Sequence, residues 1–205
     1  MLLRKLVLGM YMTNCYIIVC EETKKAVIID PGSEYNRIKA ELDKVNIDLQ
    51  FILLTHGHGD HIGAVPQLME EYELPVYIHE QEKKILNNSN RNLTRQIYKN
   101  GIEIEPNRLL KDGEVLSVGS MNLEIIHTPG HTPGSISVKV GNIVFTGDTL
   151  FNHSIGRTDL PGGSYDTIIN SIKEKLMILP DDTTAYPGHN TPTKIGVERN
   201  GNPFL

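Results

Sequence analysis

Within six residues, the stretch Thr55-His56-Gly57-His58-Gly59-Asp60-His61 offers four side chains able to grip a cation. Neutral imidazole and carboxylate suit zinc, iron and related ions. The chain has eight histidines in 205 residues, so three of them in so short a run is improbable by chance. Gly57 and Gly59 are expected to let the backbone bend so that alternate side chains converge. Two cations need about six to eight donors between them, so one loop does not suffice. Further candidates are His131 in Thr128-Pro129-Gly130-His131-Thr132-Pro133-Gly134, Asp148 in Thr146-Gly147-Asp148-Thr149, and His189 in Pro187-Gly188-His189. Each stands beside Gly or Pro in a rigid turn. An isolated Asp after Gly is ordinarily a turn residue, and His127 competes with His131 for the same role.

The elements around these residues explain how they could meet. Leu3 to Gly9, Cys15 to Cys20 and Ala26 to Ile29 read as strands, with Asp30-Pro31-Gly32 as the turn ending the third. Glu34 to Val45 carries Ile38, Leu42 and Val45 at helical spacing. Phe51 to Leu54 is fully apolar, as a buried strand is, and runs straight into the histidine-rich loop. Ile62 to Tyr72 reads as a helix with Pro66 near its start, where proline is tolerated. Val76 to Ile78 is a short strand. Asn87 to Asn107 is rich in asparagine and reads as part helix, part mobile connection, either a lid or plain surface loop. Val115 to Val118, Leu123 to His127, Ser135 to Val140 and Ile143 to Phe145 read as strands, Asp166 to Leu179 as a helix, and Thr183 to Tyr186 as a last strand. Strands and helices segregated in both halves predict an α/β sandwich, two sheets with helices outside. Each candidate ligand then lies just past a strand.

Bulk properties narrow the classes. A length of 205 residues fits a single domain, 1–205, and 39% hydrophobic content allows a sizeable core. The net charge of -5 and the absence of a basic stripe argue against nucleic-acid binding. Lys24-Lys25 and Lys83-Lys84 read as solvated surface. Cys15 and Cys20 would face opposite sides of one strand, which argues against a disulfide and for buried thiols in a reducing compartment. No signal peptide or membrane span is evident, so the expected location is cytoplasmic.

Together, the five stretches that carry these donors resemble the metal motifs of the metallo-β-lactamase superfamily, in order and over essentially the whole chain. The resemblance implies a four-layer αββα sandwich. It implies two divalent cations, zinc first, with iron or manganese as alternatives. His56, His58 and His131 would hold one ion, Asp60, His61 and His189 the other, and Asp148 would bridge them. It selects His131 over His127, which becomes a strand-end residue. Thr13-Asn14-Cys15-Tyr16, Gly156-Arg157-Thr158-Asp159 and Asn202-Pro203-Phe204-Leu205 are similar to the small glyoxalase II-like hydrolases within that superfamily. The chain stops soon after His189, without the C-terminal helical domain that glyoxalase II uses to grip glutathione. β-Lactamases of the commonest type carry Cys where Asp148 stands.

The expected function is therefore hydrolysis of a small-molecule (hydroxy)acyl thioester. A metal-bridging hydroxide attacks the carbonyl, because coordination lowers the pKa of water towards about 7. Asp60 is the candidate to orient it and pass a proton to the leaving group. Arg157 is a candidate substrate-facing cation, against the alternative of an Arg157–Asp159 pair that only shapes the loop. Asp30 is either a turn residue or a partner that orients a ligand imidazole. Rival readings are a mononuclear iron persulfide dioxygenase, a lactone or other ester hydrolase, and a non-catalytic metal-binding protein.

Overall fold

The computed structural model describes residues 1–44 and 46–205, so the last residue of the expected first helix, Val45, lies outside the described residues. β1 (Leu2–Leu8), β2 (Thr13–Val19) and β3 (Lys25–Ile29) form an antiparallel meander, and β4 (Asp48–Leu53), β5 (Val76–His79) and β6 (Arg108–Leu110) extend it in parallel. A second sheet begins as the antiparallel run β7 (Val115–Val118), β8 (Met121–His127), β9 (Ile136–Val140) and β10 (Ile143–Gly147). A small ribbon, β11 (Leu150–Phe151) with β12 (Ser154–Ile155), follows. β13 (Thr184–Pro187) returns parallel to β10, and β14 (Thr193–Lys194) closes that edge.

β2 shows why the sheets stack. Side chains alternate along a strand, and here both sets are apolar. Tyr16 and Ile18 point into the core between the sheets, with Val27, Phe51, Leu123, Val138 and Phe145. Cys15, Ile17 and Val19 point the other way, towards Ile38, Leu42, Val65 and Leu68. These last belong to α1 (Tyr35–Leu42) and α3 (Val65–Tyr72). On the far side, α6 (Tyr165–Ser171) and α7 (Ile195–Gly201) bring Ile168 and Ile195 onto Val144 and Ala185 of the second sheet. The result is the four-layer αββα sandwich that the residues and the resemblance implied. Cys15 and Cys20 are free and buried on opposite faces, as the spacing required. Among the described residues, no helix is long and apolar enough to cross a membrane.

Several elements differ from the sequence reading. The helix expected over 62–72 is two pieces, α2 (Gly59–Ile62) and α3. The amides of Gly63 and Ala64 donate to Gly32 O (2.9 Å) and Pro31 O (3.0 Å), which breaks the helical ladder between the pieces. The helix expected over 166–179 ends as α6 at Ser171 and continues as a wider π turn, Ile172–Leu176. Between 83 and 107 only α4 (Lys83–Leu86) and α5 (Thr94–Ile97) are helical. The connection expected there is pinned from within: buried Asn92 donates to Leu86 O (3.1 Å) and Ile102 O (2.8 Å) and accepts from Thr94 N (3.0 Å).

Phe145 is fully buried, with its ring 4.9 Å from that of Tyr16 and 5.7 Å from that of Tyr186. Phe145→Ala should destabilise the protein by about 3–5 kcal/mol in denaturant unfolding. A loss below about 1 kcal/mol would mean that the inter-sheet core closes over the gap.

Candidate metal centre

Strand ends deliver the donors. β4 runs into His56, His58, Asp60 and His61, β10 into Asp148, and β13 into His189, while His131 stands on the loop between β8 and β9. All seven side chains meet. His56, His58 and His131 form one group, Asp60, His61 and His189 another, and His56, His61 and Asp148 a third between them, with ligand atoms within 4.8 Å in each. His58 Nδ1 lies 2.9 Å from His131 Nε2, and His61 Nε2 lies 3.4 Å from His189 Nε2. Asp148 reaches both sides, 3.7 Å from His131 Nε2 and 3.4 Å from both His61 Nε2 and His189 Nε2.

The arrangement fits cations. Tetrahedral ligation at 2.0–2.1 Å sets two nitrogens about 3.3 Å apart, close to the spacings here. His56 Nε2 and Asp148 Oδ1 are buried without a hydrogen-bond partner, although buried polar atoms nearly always have one. The far side of four of the five rings, those of His56, His61, His131 and His189, is already committed. His131 Nδ1 donates to Arg157 O (2.8 Å) and His189 Nδ1 to Tyr11 O (3.0 Å), which turns each Nε2 inward. Asp30 orients two rings at once. Its Oδ2 accepts from His61 Nδ1 (3.0 Å) and from Thr55 Oγ1 (2.6 Å), and Thr55 Oγ1 in turn lies 3.2 Å from His56 Nδ1. The backbone of Asp30 is left-handed, with φ of 50°, which turns its carboxylate under the loop. Asp30 is therefore an orienting residue as well as a turn residue.

Electrostatics divide the two groups. Burial, with neighbouring imidazoles, holds His56 well below its usual range, and burial beside His131 pushes His58 down to about 3. Around Asp60 and Asp148 the sign reverses. Burial alone would lower His61, but Asp148, Asp60 and Asp30 hold it well above its usual range. Burial also opposes His189, yet hydrogen bonds with Asp148 and Asp60 push it up to about 9. Asp148 sits well below the carboxylate range, because His61 and His189 outweigh its burial.

The remaining candidates are placed as follows. His127 lies outside the cluster, its Nε2 2.9 Å from Pro133 O and its ring stacked 4.0 Å from His79. The Arg157 side chain is exposed and paired with Asp159 (Nη2 to Oδ2 2.6 Å), while its backbone carbonyl holds His131. Arg157 also lines a cleft of about 630 Å³ that opens onto Asp60, His131, Asp148 and His189. Gly57 and Gly59 have ordinary φ, so the expected bend is not their role. They permit close approach instead: a Cβ on Gly57 would stand 3.2 Å from Leu86 N, and one on Gly59 would stand 2.8 Å from Thr94 Cγ2. A Cβ on Gly188 would collide with the Asp148 carboxylate.

Sequence reasoning missed two supports. Asn14 Nδ2 donates to Pro187 O (2.9 Å) and Asn190 O (3.0 Å), and Tyr16 Oη to Pro187 O (2.6 Å), tying β2 to the His189 turn. Glu82 is completely buried and accepts from Gly57 N (3.0 Å), Thr132 Oγ1 (2.9 Å) and Gly134 N (2.9 Å). It thus clasps the His56–His58 loop to the His131 loop.

A four-layer αββα sandwich that gathers five imidazoles and two carboxylates at strand ends has the architecture of a metallo-hydrolase. The chain belongs to the metallo-beta-lactamase superfamily, whose profile matches residues 8–189. It is 40% identical to a hydroxyacylglutathione hydrolase, GloC, of Haemophilus influenzae, over 95% of this chain and 93% of that one. In structure it is similar to the BLEG-1 B3 metallo-beta-lactamase (TM-score 0.93, 36% identity, 100% and 99% of the two chains). It is also similar to TTHA1623, solved in a di-iron-bound form (TM-score 0.87, 35% identity, 98% and 100%).

Glu82→Gln keeps the volume but turns one acceptor into a donor facing donors. Cation affinity at the His56–His58–His131 group should fall about 10- to 100-fold by chelator competition, with the far-ultraviolet spectrum retained. Unchanged affinity would show that the loops hold themselves. A second expectation concerns pH. With His58 at about 3 and His56 depressed, protons do not compete for these two donors between pH 6 and 8. With His189 raised to about 9 and His61 held well above its usual range, a cation entering the second group must displace a proton from each ring below about that pH. The second equivalent should therefore bind about a hundredfold tighter per pH unit up to roughly pH 9 and release about two protons in calorimetry, a steeper dependence than that of the first. Equal slopes for both equivalents would refute the division.

Proposed function

We propose that this protein is a binuclear metal-dependent hydrolase that cleaves a small (hydroxy)acyl thioester. The observation that carries the reading is the shared carboxylate: Asp148 lies within 3.7 Å of a donor from each of the two ligand groups. His56, His58 and His131 would hold one cation, Asp60, His61 and His189 the other. The named activity of the relative with 40% identity supports a thioester over other carbonyl substrates.

When bound, the cations supply two things: a lowered pKa for water and polarisation of a carbonyl oxygen. The chain supplies the rest. Asp60 Oδ2 accepts from Thr13 Oγ1 (3.3 Å) and faces the cleft, where it orients the attacking water and passes its proton to the departing thiolate. Leu93, Ile97, Phe151 and Leu160 give the cleft an apolar wall that limits access of bulk water. The Arg157 guanidinium lies at the cleft with its partner Asp159, where it can face the substrate.

The deciding experiment is a panel of lactoyl thioester, lactone and β-lactam on zinc-, iron- and manganese-loaded protein, with oxygen uptake on a persulfide in parallel. Thioester hydrolysis by protein carrying two cations per chain is expected. One iron per chain with oxygen uptake, or cleavage of the lactone or β-lactam alone, would replace the reading. Metal binding without turnover of any of them would make the protein a metal binder. Asp60→Asn should lower turnover about 10²- to 10⁴-fold. Near-normal turnover with both cations retained would remove Asp60 from the proton path.

A further inference from the structure

Beside the cleft lies a second cavity, of about 690 Å³, lined by Glu80, Lys84, Arg91, Pro133, Pro161 and Gly162 among others. The same two chain segments wall both spaces. Leu93 and Leu160 face the catalytic cleft, and Arg91 and Pro161 face the neighbouring cavity. Pro133 stands two residues past His131, where a Cβ on Gly162 would press 2.9 Å from its Cδ, so the ligand loop itself forms the saddle between them.

The charges at this cavity are uncommitted. Lys84 and Arg91 are exposed, and among the described residues neither has an acidic partner within 4.0 Å. Their neighbours differ: Lys83 pairs with Glu105, Arg95 donates to Ser89 Oγ (3.0 Å) and Arg157 pairs with Asp159. Glu80 is the single acid of the cavity, which leaves an excess of one positive charge in a chain whose net charge is -5.

We propose that this cavity binds the anionic tail of the thiol that leaves the substrate. That tail is a carboxylate of a small peptide thiol or a phosphate of a nucleotide-linked thiol. The proposal rests on the thioester reading. The two spaces are lined by neighbouring residues of the same segments, Leu93 with Arg91 and Leu160 with Pro161, so a thiol held by its sulfur in the cleft directs its charged tail towards this cavity. The guanidinium of Arg91 offers the planar fork that matches either anion, and Lys84 adds a point charge. Recognition of the tail is then separate from the chemistry at the carbonyl.

The test compares a lactoyl thioester of glutathione, one of coenzyme A and one of uncharged N-acetylcysteamine, on metal-loaded protein. In the Lys84→Gln/Arg91→Gln double variant, the preference for a charged over the uncharged thioester should fall about tenfold, through KM. Glu80→Gln should raise the same preference, and 0.5 M salt should erase it in the wild type. Which charged thioester responds identifies the carrier. Unchanged preference for both in the double variant overturns the proposal. If the wild type cleaves no thioester, the thioester reading fails and the subsite is judged by binding alone. Calorimetry with S-methylglutathione and with coenzyme A then decides: affinity lost in the double variant upholds an anion subsite, and equal affinity in the two proteins ends it.

Discussion

Two buried carboxylates hold the donor loops where they are. Asp30, at the end of β3, accepts from Thr55 N (2.8 Å), Thr55 Oγ1 and His61 Nδ1. Glu82, past the end of β5, accepts from Gly57 N, Thr132 Oγ1 and Gly134 N. Carboxylates at 1% and 0% exposure are costly to bury unless their oxygens are fully hydrogen-bonded. That cost is the constraint. A loop that drifts away strands a buried acceptor, so the loops cannot relax apart one at a time. Burial pushes the Glu82 carboxyl up against the pull of its three donors, which shows how dry its site is. The ligand imidazoles are therefore oriented by the fold before any cation arrives, and binding need not bear the entropy of ordering them.

The electrostatic division of the site follows from the same arrangement. Asp148 and Asp60 hold the proton on His189, and with Asp30 they hold one on His61. Glu82 lies under the other loop pair and bonds only to backbone amides and a hydroxyl, so the three histidines above it have no carboxylate of their own except Asp148. One group thus has two imidazoles, His56 and His58, held well below their usual range. The other is a hydrogen-bonded ion cluster in which His61 and His189 are held above their usual range. Equal ligand counts at two sites do not make the sites equivalent.

What could be read in the sequence depended on local density. The run from His56 to His61 was legible because four donors in six positions need no fold to be noticed. The long apolar strands and α1, α3 and α6 were legible from their period. His131 and Asp148 acquired meaning only together with the loop they face, and His127 could not be set aside by spacing alone. Glu82 was invisible. It lies in Glu80-Gln81-Glu82-Lys83-Lys84, which reads as solvated surface, and only the fold brings Gly57 and Gly134 against it. Gly57 and Gly59 show the complementary error: the residue type was informative, but the reason was proximity of another segment rather than a bend. The short strands β6, β11, β12 and β14, of two or three residues each, carry too few side chains for a period to emerge.

The ligands and the walls of the cleft come from different parts of the fold. The ligands sit on strand ends and on loops clasped by Asp30 and Glu82, whereas most of the cleft wall comes from residues 93–97 and 151–160, which are outside those clasps. Changes in the walls can therefore alter the substrate without disturbing the donors. The relatives fit that separation. One with 40% identity is named a hydroxyacylglutathione hydrolase and one with 36% identity a B3 metallo-beta-lactamase, while this chain superposes on the latter with a TM-score of 0.93. Two differently named activities thus occur on closely similar folds. The choice has to be made by the few side chains around the opening, Leu93, Ile97, Phe151 and Leu160 in the cleft and the cations beside it.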